Sequence, residues 1–86
     1  MLPVSDNRNI IDEIKKTISE ISRINLFDLD DNIKIREELG IDSLMAIEII
    51  AKCERRFKIN IDETKLDSIQ TIGDFIKFIL NLMGRK

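Results

Sequence analysis

The segment Glu38-Leu39-Gly40-Ile41-Asp42-Ser43-Leu44-Met45-Ala46-Ile47-Glu48 holds the serine best placed to do chemistry. Asp42 and Ser43 precede an apolar run with helical spacing, and both residue types are favoured N-caps, so a plain helix cap is one reading of the pair. The other reading is a serine that bears a phosphodiester. A helix N-terminus offers backbone N–H groups without intrahelical partners and the positive end of the macrodipole, and both favour a phosphate attached there. Gly40 gives the turn into the helix conformational freedom. The long irregular segment that ends here leaves the Ser43 hydroxyl exposed.

Composition removes most other chemistries. The chain has 86 residues, one Cys and no His. Ser-His and Cys-His nucleophile pairs are therefore absent, as are an imidazole base and zinc sites built from Cys and His. Cys53 has no partner for an internal disulfide. A chain of this size buries roughly 60–65 % of the surface its unfolded form exposes, which gives one thin core and no deep catalytic cleft. We therefore expect one domain over residues 1–86 with its core in 8–83, and chemistry done by partners. No apolar run approaches the ~18 residues of a membrane span, and Met1-Leu2-Pro3-Val4-Ser5-Asp6 does not read as a signal peptide, so the expected location is cytoplasmic.

Charge is unevenly distributed. From Asp28 to Glu48 seven acids face only Lys34 and Arg36, for a net −5, whereas Lys52, Arg55, Arg56 and Lys58 against Glu54 make residues 49–58 net +3. The acidic stretch surrounds Ser43 and suits docking by basic partners. A nucleic-acid-binding helical module is the rival reading of the Arg55-Arg56-Lys58 cluster. A net charge of −2 and a pI near 5.1 argue against it. A helical protein-interaction module without further chemistry stays open at this point. An enzyme is not expected, because nothing places two acids around a pocket.

The elements that must position Ser43 follow from periodicity. Ile10, Ile14, Ile18, Ile21 and Ile24, with Ile11 beside them, make a helical stripe that fades near Asn25, with Ser5, Asp6 and Asn7 as N-cap candidates. Residues 25 to 42 lose the period, yet Leu26, Phe27, Leu29, Ile33, Ile35, Leu39 and Ile41 predict a long loop pinned to the core. A second helix runs from Ser43 to about Phe57, with Ala46, Ile50, Cys53 and Phe57 on one face, widened by Ile47 and Ile49. That spacing puts Cys53 in the core as an inert thiol. Ile59 and Ile61 lie in an extended connector. Thr64 to Ile69 has room for one short helix. The last helix begins near Thr71 and carries Ile72, Phe75, Ile76, Ile79, Leu80 and Met83, ending at Gly84-Arg85-Lys86. The expected fold is an all-α four-helix bundle with a long first loop and a short third helix.

With these elements in place, the segment around Ser43 resembles the phosphopantetheine attachment motif of the acyl carrier protein family, whose hallmark is Asp-Ser-Leu at the start of the second helix. The run Leu39 to Glu48 is particularly similar to carrier domains of polyketide assembly lines. Phe57, Ile59, Ile61, Asp62-Glu63 and Ile69-Gln70-Thr71-Ile72-Gly73-Asp74-Phe75 match the family's order and spacing, so the likeness covers roughly residues 8 to 83. The resemblance implies that a phosphopantetheinyl transferase, with magnesium and coenzyme A, attaches 4′-phosphopantetheine to Ser43, and that the arm's thiol carries acyl groups. It implies recognition roles for Asp42, Leu44, Met45 and Glu48. The implied partners are acyl-loading enzymes and a ketosynthase or other acyl-processing enzymes, with no nucleic acid and with the chain a monomer. Met1 and the domain-sized length make a free-standing carrier the expectation.

The same resemblance implies an acyl pocket lined by Ile47, Ile50, Ile61, Leu66, Ile69, Phe75 and Ile79, residues that would serve equally as plain core. Leu66 and Phe75 are bulkier than the residues fatty-acid carriers commonly have there, which implies weak sequestration of long chains. Met45 stands where fatty-acid carriers are often acidic, and Lys52, Arg55 and Arg56 make the far half of the helix basic. These departures favour polyketide or other specialised metabolism over primary fatty-acid synthesis, with an aminoacyl or peptidyl carrier as a further alternative.

Overall fold

The isoleucine stripe of the N-terminal quarter forms α1 (Asn7–Ser22) in the computed structural model, which describes residues 7–84. Ser5 and Asp6, two of the expected caps, and Arg85-Lys86 lie outside those residues. Ile14 and Ile18 are fully buried, with Ile10, Ile11 and Ile21 packed half-buried beside them. The helix ends earlier than the stripe suggests. Arg23 turns left-handed (φ 64°), its N–H reaches the Ser19 carbonyl at 2.8 Å, and Ile24 still packs on the core from outside the helix.

Residues 25 to 42 contain two helical pieces that a five- or three-residue stretch cannot announce by periodicity. Leu26–Asp28 is a 3₁₀ turn, with the Phe27 N–H bonded to Asn25 Oδ1 at 3.0 Å. Ile35–Leu39 forms α2, stopped by Gly40 in the left-handed region (φ 66°, ψ 28°). Leu29 and Ile41 are buried, and Leu26, Ile33, Ile35 and Leu39 pack against the core, which is the expected pinning. Phe27 is the exception. It is 92 % exposed, in the middle of the 3₁₀ turn.

The loop is clipped to the start of α4 (Ile72–Leu82) by backbone hydrogen bonds. The N–H groups of Ile72 and Gly73 donate to the carbonyls of Ile33 (3.0 Å) and Asp31 (2.8 Å), and the Ile35 N–H returns a bond to Gln70 O at 2.9 Å. These are N–H groups that a helix start leaves without intrahelical partners. Thr71 satisfies the next one, from Asp74, at 3.0 Å, and the Asp74 carboxylate accepts from the N–H groups of Thr71 and Gln70, completing a capping box. Those two N–H bonds, Thr71's first, hold the Asp74 carboxyl below the usual carboxylate range. A β-carbon at Gly73 would lie 3.1 Å from the Asp31 carbonyl oxygen, so glycine is what lets the loop come this close.

Ser43–Phe57 forms α3 and buries Ile49, Ile50 and Cys53, with Ala46 and Phe57 half-buried on the same side. Its flank is tied to α1. The Arg56 guanidinium donates to the Thr17 hydroxyl (2.7 Å) and pairs with the Glu13 carboxylate (3.1 Å), while Lys52 pairs with Glu20 at 3.8 Å. Thr17, the one buried polar residue among those described, is thereby satisfied, since its hydroxyl also donates to the Glu13 carbonyl at 2.8 Å. Lys58 caps α3 in the left-handed region (φ 55°), a position that ordinarily takes glycine.

The connector after α3 is extended, with Ile61 buried and its N–H bonded to Glu54 Oε2 at 2.9 Å. The short third helix is a 3₁₀ segment, Glu63–Ser68, started by Asp62, whose carboxylate accepts from the Thr64 hydroxyl and N–H. The last helix, α4, buries Ile72, Phe75, Ile76, Ile79 and Leu80 against α1 and the rest of the core. Among the described residues no strand forms, and one isolated antiparallel bridge joins Lys34 to Thr71. The all-α bundle with a long first loop is as expected; α2 is the addition.

Two stability effects follow. Lys58→Gly relieves a left-handed side-chain clash and should stabilise by about 1 kcal/mol, raising Tm by roughly 4–8 °C in a thermal scan. An unchanged or lowered Tm would contradict the strain. Burial pushes the Cys53 thiol from 9.0 up to about 12, with Arg56 pulling weakly the other way. Unfolded chains lose that proton near pH 9 while native ones keep it, so stability falls as pH rises from about 9 toward 12. Between pH 8 and about pH 10.5 the native chain should lose about 2 kcal/mol more than Cys53→Ala, measured by urea midpoints.

Candidate functional site

Three consecutive constraints set the position of Ser43. Gly40 turns the chain out of α2, Ile41 is buried as an anchor (4 % exposed), and Asp42 adopts the extended conformation of an N-cap. Asp42 Oδ1 accepts from the Met45 N–H at 2.9 Å, and the Asp42 carbonyl accepts from the Ala46 N–H at 2.9 Å. Asp42 thus does the capping that sequence alone left open to either residue. Ser43 is the first helical residue and is exposed, with its hydroxyl outside the cap.

This arrangement fits a phosphodiester on Ser43. The backbone N–H groups at the first positions of a helix lack intrahelical acceptors, and α3, at 15 residues, is long enough to develop a macrodipole. Negative oxygens attached to Ser43 would lie at its positive end, while the Asp42 carboxylate is turned onto Met45.

The neighbours on α3 divide by angle, at about 100° per residue. Leu44 points outward, 73 % exposed, so core packing is not its role. Glu48 lies exposed on the same side, and Met45 is half-buried. Ile47, placed in the acyl pocket by resemblance, instead faces outward, 52 % exposed. At about 100° per residue it lies about 100° around the helix from Ala46, about 120° from Cys53 and about 160° from Ile49, on the outer side.

One turn below Ser43, an apolar cavity of about 80 Å³ opens into the bundle. Ile50, Leu66, Ile69 and Phe75 line it, whereas Ile61 and Ile79 are buried elsewhere in the core. The remaining walls were not anticipated. Ile18 comes from α1, Ile35 and Arg36 from α2, and Ile41, Ala46 and Ile49 from the region of Ser43 itself. Ala46 and Ile49 belong to the inward stripe of α3 and were legible as core. Ile18, Ile35 and Ile41 were legible as core too, but not their meeting at this cavity, and Arg36 was not legible at all, because their elements approach it only through tertiary packing.

The charge around Ser43 also changes character in three dimensions. Asp28, Asp30, Glu37, Glu38, Asp42 and Glu48 are all exposed, while Asp31 is paired with Lys15 at 3.2 Å. Of the cations in the second half of α3, Lys52 and Arg56 are tied to α1, so the basic surplus visible from outside is smaller than the sequence count. Among the described residues no helix is long and apolar enough to cross a membrane.

Comparison with known proteins agrees with this geometry. Residues 12–79 match the family described as the phosphopantetheine attachment site. An acyl carrier protein of Sulfurovum sp. is 33% identical over 73 residues, covering 85% of this chain and 97% of that protein. One from Wolinella succinogenes is 33% identical over 70 residues, covering 81% and 92%. One from Thermotoga maritima is 26% identical over 81 residues, covering 94% and 100%. Proteins of this kind are carriers that hold 4′-phosphopantetheine covalently and are served by phosphopantetheinyl transferases and acyl-processing enzymes. The chain belongs to the acyl carrier protein family: it is a bearer of the phosphopantetheine arm and not an enzyme.

Proposed function

We propose that Ser43 is the residue to which the arm is attached, and that acyl groups are held on it as thioesters for delivery to partner enzymes. The observation that carries this reading is the exposed Ser43 hydroxyl at the first position of α3, left outside the cap by Asp42. Asp42, Leu44, Met45 and Glu48 form the recognition face in this reading. Leu44 supplies an exposed apolar contact one residue from the attachment point, and Glu48 an acid for basic partners.

For cargo, we propose intermediates of polyketide or other specialised lipid or secondary metabolism. The Met45 position and the exposed Arg55 and Lys58 support this, because a uniformly basic fatty-acid enzyme surface would meet cations at the far end of α3. A role in primary fatty-acid synthesis is the second reading. It is favoured by the pairing of Lys52 and Arg56 with Glu20 and Glu13 of α1, which offsets half of those cations with carboxylates.

Intact-protein mass spectrometry after incubation with coenzyme A, magnesium and a broad-specificity phosphopantetheinyl transferase tests the attachment site. One phosphopantetheine should appear on the native chain and none on Ser43→Ala. Equal loading of both would move the site elsewhere. The cavity generates a second expectation. At about 80 Å³ it is roughly half the size of one that admits benzene, so it shelters only a short chain without rearrangement. Hexanoyl- and decanoyl-loaded forms should differ little from the unacylated holo form in the NMR shifts of Ile18, Ile50 and Phe75. Large shifts growing with chain length would mean that the core opens for long cargo.

A further inference from the structure

The outward side of α3 changes sign along its length. Near Ser43 it presents Leu44, Ile47 and Glu48. At the other end, Arg55 and Lys58 flank a shallow surface cleft of about 380 Å³ whose apolar floor is Ala51 and Ile59. Glu54 and Asn60 complete the rim, and the Glu54 carboxylate is engaged by the Ile61 N–H. The four cations of this half-helix therefore divide into two kinds. Lys52 and Arg56 pair with Glu20 and Glu13, whereas among the described residues neither Arg55 nor Lys58 forms an ion pair.

Helix stability does not account for both free cations. A positive charge in the last turn complements the macrodipole, and Arg55 and Arg56 both lie there, so Lys58 is the cation this leaves unaccounted for. Lys58 lies past the end of the helix, in a backbone conformation that glycine adopts without strain. Strain of this kind tends to persist where a side chain has other work.

We propose that Arg55 and Lys58 are the far half of a two-signed docking face, and that its occupant is an acidic patch on the same acyl-processing partner that meets Leu44 and Glu48. This rests on the reading of Ser43 as the attachment site. Ser43 and Arg55 are twelve residues apart, or about 18 Å along α3, and even Glu48 and Arg55 stand about 10 Å apart. That exceeds the Debye length of about 8 Å at physiological ionic strength, so the two ends act as separate local charges and not as a neutral average. The partner that fits carries basic groups where the arm enters and carboxylates about 18 Å away. A surface that is basic throughout meets like charge at Arg55 and Lys58, which selects against it.

Two synthetic helical peptides of about twenty residues, long enough to span the face, test this on the full chain by NMR titration. One has a Lys-rich half and a Glu-rich half; the other is Lys-rich throughout. The block peptide should shift amides in both 44–48 and 55–60, and Arg55→Glu with Lys58→Glu should weaken it by about tenfold at low salt while strengthening the uniform one. Arg55→Gln with Lys58→Gln should give an intermediate loss. Shifts confined to 42–48, or affinities unmoved by either double variant, would overturn the proposal. Arm transfer to Ser43, read by mass on the same samples, separates the two readings. Loading without a block-peptide preference removes the docking face alone, and failure to load the native chain removes both.

Discussion

The first N–H groups of α4 hold this molecule together in a way its apolar core does not. The core brings helices side by side but specifies little about an eighteen-residue connection that has no ladder of its own. Donation from Ile72 and Gly73 to the carbonyls of Ile33 and Asp31, answered by Ile35 to Gln70, ties the middle of that connection to a fixed helix end. Downstream of the clip, α2, the Gly40 turn, buried Ile41 and the Asp42 cap follow with little slack. The exposure of Ser43 is thus set by a helix that starts twenty-nine residues later in the chain.

How much of this was legible depends on the length over which a pattern repeats. The three long helices announce themselves through Ile and Leu at three- and four-residue spacing, and α3 begins and ends where Ser43 and Phe57 suggest. The place of Ser43 at a helix start was legible because the apolar run independently marks that start. Helix α2 was not, since five residues make barely more than one turn. Phe27 misled because an aromatic in a loop is ordinarily an anchor, and only the local turn reveals that it points to solvent. The pocket was half legible: Ile50, Leu66, Ile69 and Phe75 follow from the resemblance, whereas Ile41, Ala46 and Ile49 beside Ser43 do not, and Arg36 and Ile18 reach it from elements whose approach no local pattern encodes.

Helix α3 shows how one element serves two masters without conflict. Its inward side is Ile49, Ile50 and Cys53, its flank is fastened to α1 by Lys52 and Arg56, and its outward side is left to contact other molecules. The fastening pairs are partly exposed and each is weak by itself. Their value lies in geometry. The Arg56 guanidinium bridges a buried hydroxyl and a carboxylate, which fixes the rotation of α3 about its axis and with it the direction in which Leu44 and Glu48 face.

The close approach of Gly73 to Asp31 has a consequence for modularity. A β-carbon at Gly73 would stand 3.1 Å from the Asp31 carbonyl, so the loop's path and the residue at the second position of α4 are one unit although forty-two residues separate them. Chimeras that exchange the first loop between carriers, leaving the last helix behind, would separate halves of a single fitting. Grafts that carry both segments together preserve it, and the natural cut for recombining such proteins therefore runs through space and not at any one point along the chain.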